Sequence, residues 1–209
     1  MAELTSLEKA QGWELLFDGR TLAGWGATHE EHGWAVKDGA LVAVKPLGGR
    51  YLYTKEQFSD FILSLEFNLD PGTNSGVFLR WSDLSDPVNT GLEVQIYDRD
   101  DTDAPNAHSC GAIYDLVPPT RYVAKKAGEW NKLVVHCVGP FVSVVLNGEA
   151  VAVMDVTRWN VPGKNPDGQP NKFRYAWSEL PRVGHIGLQN YGANKGEVRY
   201  RNIKVRRLG

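Results

Sequence analysis

Residues 60–69, DFILSLEFNL, carry the pattern that most limits how this chain can fold. Phe61, Leu63, Leu65, Phe67 and Leu69 share one parity, while Ser64, Glu66 and Asn68 share the other. Side chains alternate across a strand, so this is a strand with one face on a core and one in a polar setting. Shorter runs of the same kind occur at 13–17, 34–36, 40–44, 51–53, 111–117, 130–138, 141–146, 150–156, 184–191 and 197–208. Turn signals separate them: Asp38-Gly39, Asp70-Pro71-Gly72, Gly139-Pro140 and Asn147-Gly148. Asp-Gly and Asn-Gly favour tight hairpins because both residues accept positive φ. With about a dozen strands and turns roughly every 8–12 residues, the reading is an antiparallel β-sandwich. Residues 1–11 form an N-terminal extension with one helical turn, and residues 12–209 form a single β-sandwich domain. In the last strand Arg199 and Arg201 alternate with Val198 and Tyr200, yet Ile203 and Val205 fall on the arginine parity. A bulge near Asn202 would restore the pattern.

The stretch 74–98, NSGVFLRWSDLSDPVNTGLEVQIYD, carries the chemistry. It reads as two strands joined by a polar loop. Leu92, Val94 and Ile96 form one face of the second strand, and Glu93, Gln95 and Tyr97 form the other. Arg80 shares parity with Phe78 in the first strand. Arg80, Glu93, Gln95 and Tyr97 are therefore expected on one polar surface suited to gripping hydroxyls and moving protons. The simpler alternative is a cross-strand Arg80–Glu93 ion pair. Glu66 and Asp98 are the other strand carboxylates. A Glu66–Glu93 pair could act as acid and base on a glycosidic bond, and Asp98 could equally cap a turn.

Other residue clusters point elsewhere or nowhere. The net charge is −2 and no Lys or Arg run occurs, so nucleic acid is not an expected partner. No apolar run reaches membrane-spanning length. No signal peptide is visible before residue 17, so the protein is read as cytoplasmic, or as one whose leader has been removed. Two cysteines, Cys110 and Cys137, do not make a disulfide framework. His29, His32, His108, His136 and His185 form no metal motif, and no metal or cofactor is expected. His185 shares parity with Gln189 and is a candidate acid on the polar face. The acidic loop Asp98, Asp100, Asp101, Asp103 offers oxygen ligands for Ca²⁺ but lacks EF-hand spacing, so a solvated loop is the simpler reading. G-x-S-x-G, Walker A and G-x-G-x-x-G motifs are absent.

Residues 157–182 form a long irregular segment with Pro162, Pro166, Pro170 and Pro181, a candidate wall for a site. Seven Trp, eight Tyr and seven Phe suit a β core and also a saccharide platform. Tyr97, Tyr114, Trp159, Tyr175, Trp177 and Tyr191 are candidates for stacking on sugar rings.

The chain resembles the 3-keto-disaccharide hydrolase family. The resemblance rests on an ordered set of segments: 17–25 (FDGRTLAGW), 34–39 (WAVKDG), 74–80 (NSGVFLR), 91–98 (GLEVQIYD), 111–114 (GAIY), 128–131 (GEWN), 146–148 (LNG), 187–189 (GLQ) and 200–203 (YRNI). It implies a jelly-roll sandwich of the concanavalin A-like lectin/glucanase type with a concave saccharide-binding sheet. Arg80, Glu93, Gln95, Asp98, Tyr114 and Gln189 match the family's polar positions. Tyr191, in Leu188-Gln189-Asn190-Tyr191-Gly192, stands where the family often has histidine. With an unperturbed pKa near 10, tyrosine donates or stacks better than it acts as a base.

The expected function is cleavage of 3-keto-glycosides, by elimination and hydration or by direct hydrolysis. The expected catalytic roles are Glu93 or Asp98 as base, Arg80 and Gln189 as oxyanion or hydroxyl donors, and Tyr114 or His185 as acid. Glu66, Gln95, Tyr97, Gln189, Asn190 and Tyr191 are expected to contact a saccharide ligand. The alternative is a carbohydrate-binding module without catalysis.

Overall fold

The computed structural model describes residues 2–98 and 104–209. A five-residue helix, α1 (Ser6–Ala10), opens the chain behind a capping box of Thr5 and Glu8. The strands are β1 (Trp13–Leu15), β2 (Trp25–Ala27), β3 (Trp34–Lys37), β4 (Ala40–Ala43), β5 (Arg50–Thr54), β6 (Phe61–Leu69), β7 (Asn74–Trp81), β8 (Leu92–Tyr97), β9 (Asn131–Val138), β10 (Phe141–Leu146), β11 (Glu149–Asp155), β12 (His185–Asn190) and β13 (Val198–Arg207). All pairings among them are antiparallel. One sheet runs β11-β10-β9-β6-β13-β4-β3, with β1 added to β13, and the other runs β2-β5-β12-β7-β8.

The alternation of residues 60–69 explains the layering. Phe61, Leu63, Leu65 and Phe67 are fully buried between the sheets. Opposite them the five-stranded sheet contributes Val77, Leu79, Val94, Ile96, Ile186 and Leu188. Each such side chain contributes roughly 1.5–3 kcal/mol on burial, which makes this interior the main source of stability. The hairpin signals hold: Asp38 and Gly39 have φ of 49° and 76°, and Asn147 and Gly148 have 51° and 89°. The bulge in β13 also occurs, with a register shift between Arg201 and Lys204 and φ of 53° at Asn202.

Two segments depart from the sequence reading. Residues 111–117, expected as a strand, form turns with isolated bridges at Ile113. The positive φ of Gly111 (86°) and Asp115 (62°) interrupts the extended backbone. The segment still pairs with the free side of β8, through Gly111 N to Gln95 O, Gln95 N to Ala112 O and Tyr114 N to Glu93 O. The second departure is in β7. Gly187 pairs with Phe78 but His185 pairs with Trp81, so β7 carries one extra residue there. Arg80 absorbs it with φ of 49°.

That bulge resets the parity. Trp81 joins Phe78 on the outer face of the five-stranded sheet, where they pack with Tyr51, Tyr53 and Leu84. This second cluster lies outside the sandwich interior and forms the floor next to the site.

Candidate functional site

Glu93 projects from β8 onto that outer face, opposite in parity to the buried Val94. Room for it comes from the neighbouring strand. A Cβ at Gly76 would lie 2.1 Å from Glu93 Oε1, so only glycine lets the carboxyl lie flat across β7. Gln189 of β12 donates through Nε2 to Glu93 Oε1 at 3.3 Å. Tyr51, facing Gln189 across the β5–β12 pair, shares a hydrogen bond with the same amide. Burial pushes the Glu93 pKa up to about 7, and the charge of Lys172 opposes the shift. Loss of water at the carboxyl explains the direction, because burial penalises the charged form. The Tyr51 and Tyr114 phenols are raised as well, first by burial and then by the negative charge of Glu93.

Two loops wall the site. The His108 ring stacks on Tyr114 with centroids 4.8 Å apart, and its Nε2 lies 3.0 Å from Asp115 Oδ1. The second loop brings Lys172, whose backbone N–H donates to Asp115 Oδ2 at 2.8 Å. Its ammonium sits 4.0 Å from the Tyr114 ring centroid. Both groups lie against the Tyr114 ring, so less of that ring is open for a ligand to stack on. Tyr191, 41% exposed, lies at the rim near the Tyr114 phenol. Gln95 is buried beside Glu93, with Nε2 3.5 Å from His108 O. The result is a protonatable carboxyl at neutral pH, an amide beside it, phenols around it and one nearby ammonium. Such a set can remove a proton from a polyol and donate to its oxygens.

The profile of the 3-keto-alpha-glucoside-1,2-lyase-like domain family matches residues 12–206. The chain belongs to this family. A 3-keto-disaccharide hydrolase of Bacteroides thetaiotaomicron is 27% identical over 244 residues, covering 99% of this chain and 83% of that protein. A Parabacteroides distasonis protein named as a glycosyl hydrolase has a crystal structure with TM-score 0.83 and 36% identity, covering 94% of this chain and 99% of that one. A carbohydrate-binding module of Bacillus subtilis shares the fold alone, with TM-score 0.54 and 12% identity over 88% of this chain and 95% of that one. The protein is thus a hydrolase-like enzyme on a lectin-like antiparallel sandwich.

Within this 3-keto-alpha-glucoside-1,2-lyase-like domain, several residues expected at the site are committed elsewhere. Arg80 does not share a surface with Glu93. The β7 bulge turns it away, and it donates to Ser59 O (2.7 Å), Gly139 O (2.8 Å) and Asp60 Oδ1 (2.9 Å). Asp98 caps the 70–73 turn: its Oδ2 accepts from Gly72 N at 2.8 Å, and its N–H donates to Thr73 O. Glu66 lies in the other sheet, where Arg201 and Asn202 bind its two oxygens. It cannot form an acid–base pair with Glu93 across the sandwich. His185 is buried, with Nδ1 2.6 Å from Thr54 O and Nε2 3.1 Å from Gln57 Nε2. Its Nδ1 donates to the carbonyl, so Nε2 accepts from the amide, and neither nitrogen is free to serve as an acid near Glu93. Asn190 is buried and donates to His32 O and Lys45 O. Tyr97 lines a cleft at the end of the sandwich with Phe67, Tyr122 and Lys125. Trp159 and Trp177 are core residues, not sugar platforms.

Asp100, Asp101 and Asp103, the Ca²⁺ candidates, lie outside the described residues. Among the described residues no three His, Cys, Asp or Glu side chains gather as a metal site, and no helix is long and apolar enough to cross a membrane.

Sequence reasoning missed Tyr51, Asp115 and Lys172 as site residues, and Gly76 as the clearing for Glu93. Tyr51 had a signal in its shared parity with Tyr53 across Leu52. Asp115 lay in the 111–117 run read as a strand, which turns at that residue, and Lys172 sits in a segment without periodicity, so neither carried a signal.

Proposed function

We infer that this chain cleaves 3-keto-glycosides by elimination followed by hydration, with Glu93 as the base. The observation that carries this reading is the Glu93 carboxyl, which burial raises to about pKa 7 and which sits where a ligand on the outer face can reach it. A carboxylate of that basicity matches a carbon acid better than an ordinary glutamate does. A ketone at C3 supplies the carbon acid, because it acidifies the C2 proton.

Glu93 takes that proton, and the C2–H electron pair becomes an enolate shared by C2, C3 and the C3 oxygen. The enolate then collapses, the C1–C2 double bond forms and the bond from C1 to the glycosidic oxygen breaks. The departing oxygen takes a proton from the Tyr114 phenol, which its raised pKa keeps protonated. In the hydration the incoming water gives its hydroxide to C1 and its proton to the Tyr114 phenolate, while Glu93 returns to C2 the proton it removed. Water adding at C1 completes the net hydrolysis. Gln189, Tyr51 and Tyr191 are placed to hydrogen bond sugar hydroxyls. The relationship to the Bacteroides thetaiotaomicron 3-keto-disaccharide hydrolase supports the substrate class.

The test is incubation with 3-keto-trehalose and 3-keto-sucrose, with reducing sugar as the readout. Wild type is expected to release it and Glu93→Gln is expected not to. Binding of keto- and ordinary glycosides without turnover would replace this reading with that of a carbohydrate-binding module.

A further inference from the structure

The elimination needs a group that holds the C3 oxygen as negative charge develops on it. Oxyanion donors of this kind commonly contribute about 10²–10³ in rate. Of the two sequence candidates, Arg80 points away from the site and the Gln189 amide is engaged by Glu93 Oε1 and Tyr51. We propose that Lys172 is this donor, and that Asp115 presents it. The proposal rests on the elimination reading above.

Three observations converge on Lys172. First, among the described residues Lys172 is the cation whose charge acts on Glu93, so it lies within electrostatic reach of the base. In the substrate C2 and C3 are bonded neighbours. A base at the C2 hydrogen therefore requires the donor for the C3 oxygen to be close beside it.

Second, the ammonium is held without using its hydrogen bonds. It rests over Tyr114 at 4.0 Å and near Phe173 at 5.4 Å. Among the described residues it forms no ion pair and donates no hydrogen bond, whereas Lys37, Lys45 and Lys204 all pair with carboxylates. Ring faces attract a cation without occupying its N–H donors, so all three remain for a ligand oxygen.

Third, the backbone beneath it is built for placement. Asp115 has φ of 62°, a conformation that aspartate adopts uncommonly. From there one oxygen accepts from Lys172 N–H and the other faces His108 Nε2. One carboxylate thus joins the Lys172 segment to the loop whose histidine braces Tyr114.

In the proposed step Glu93 removes the C2 proton, the C3 carbonyl π pair moves onto oxygen, and the Lys172 ammonium donates to that oxygen without losing its proton. When the enolate collapses the pair returns and the carbonyl reforms. No oxidant or further reactant is needed.

The experiment follows solvent deuterium exchange at C2 of a 3-keto-glycoside alongside bond cleavage, in wild type, Lys172→Met and Lys172→Arg. Methionine keeps the stem and removes the charge. The expected result for Lys172→Met is a loss of about a hundredfold or more in both C2 exchange and kcat, with KM changed less than about threefold and an unaltered melting temperature. Lys172→Arg should recover part of both rates. Exchange and turnover within about threefold of wild type in Lys172→Met would overturn the assignment while leaving the elimination reading in place. Absence of C2 exchange in active wild type would overturn the elimination reading itself. Borohydride reduction during turnover should leave no sugar attached to Lys172. A trapped adduct would show a Schiff base and overturn the ammonium role.

Discussion

Glu93 is a carboxyl that the fold holds against its own charge. Its pKa rises from 4.5 to about 7. Below pH 4.5 it is protonated whether the chain is folded or not. Between 4.5 and 7 the unfolded chain releases the proton and the folded chain keeps it, so stability falls as pH rises through this window. Above 7 the whole penalty applies, about 3 kcal/mol. Glu93→Gln should therefore be more stable than wild type by about that amount at pH 8 and equal to it at pH 4. Denaturant unfolding at the two pH values measures the difference, and equal stability at both would refute the strained carboxyl. The same shift sets the activity profile: kcat/KM should rise with pH through about 7 as the base ionises. Gly76 supplies a steric counterpart. A methyl there meets Glu93 Oε1 at 2.1 Å, so Gly76→Ala must move the carboxyl by an ångström or so. Displacement on that scale can reduce turnover about a hundredfold. Steady-state kinetics on Gly76→Ala, with Glu93→Gln as the reference for complete loss, measures this.

At the level of the element, the β7 bulge decides which residues belong to the site. The parity of residues 74–80 assigned Arg80 to the polar face with Phe78. One extra residue with φ of 49° gives that face to Trp81 instead. A bulge of this kind leaves no trace in alternation when no apolar run continues beyond it. The bulge at Asn202 was visible because Ile203 and Val205 do continue after it. Glu93 and Gln189 were legible for the opposite reason: Glu93 sits between Leu92 and Val94, Gln189 follows Leu188 on the opposite parity, and neither strand shifts register at that point. Lys172 and Asp115 come from turns, where spacing says nothing about direction. Arg80 is accordingly predicted to be structural. It is 7% exposed and joins residues 59–60 to the β9–β10 turn. Arg80→Met should destabilise the protein by about 3 kcal/mol, since Asp60 and two carbonyls lose their donor. Activity per folded molecule should change little. Urea unfolding set beside active-site-normalised kcat separates the two effects, and a large fall in kcat at unchanged stability would return Arg80 to the site.

At the scale of the molecule, the sandwich separates two chemistries that the sequence left together. A conventional glycosidase needs two carboxyls about 5–5.5 Å or 6.5–9.5 Å apart. Glu66 and Glu93 leave opposite outer faces of two sheets that pack about 10 Å apart, so no side-chain rotation brings them to one bond. Glu66 instead receives Arg201 Nε at 2.7 Å and Asn202 Nδ2 at 3.0 Å, next to the β13 bulge. Its pKa is lowered although burial acts to raise it, which marks a carboxylate kept ionised by its partners. Glu66→Gln should therefore leave kcat/KM on 3-keto-glycosides within about twofold of wild type. It should destabilise the fold by no more than about 1 kcal/mol, as expected for a partly exposed ion pair. Anomeric configuration of the first-formed product extends the test. Elimination gives an enone before any anomer exists, whereas displacement by a carboxylate pair fixes the anomer at cleavage. A Glu66→Gln enzyme that lost turnover, or a wild type that released a single anomer with no C2 exchange, would require the two faces to act together, which the thickness of this fold does not permit.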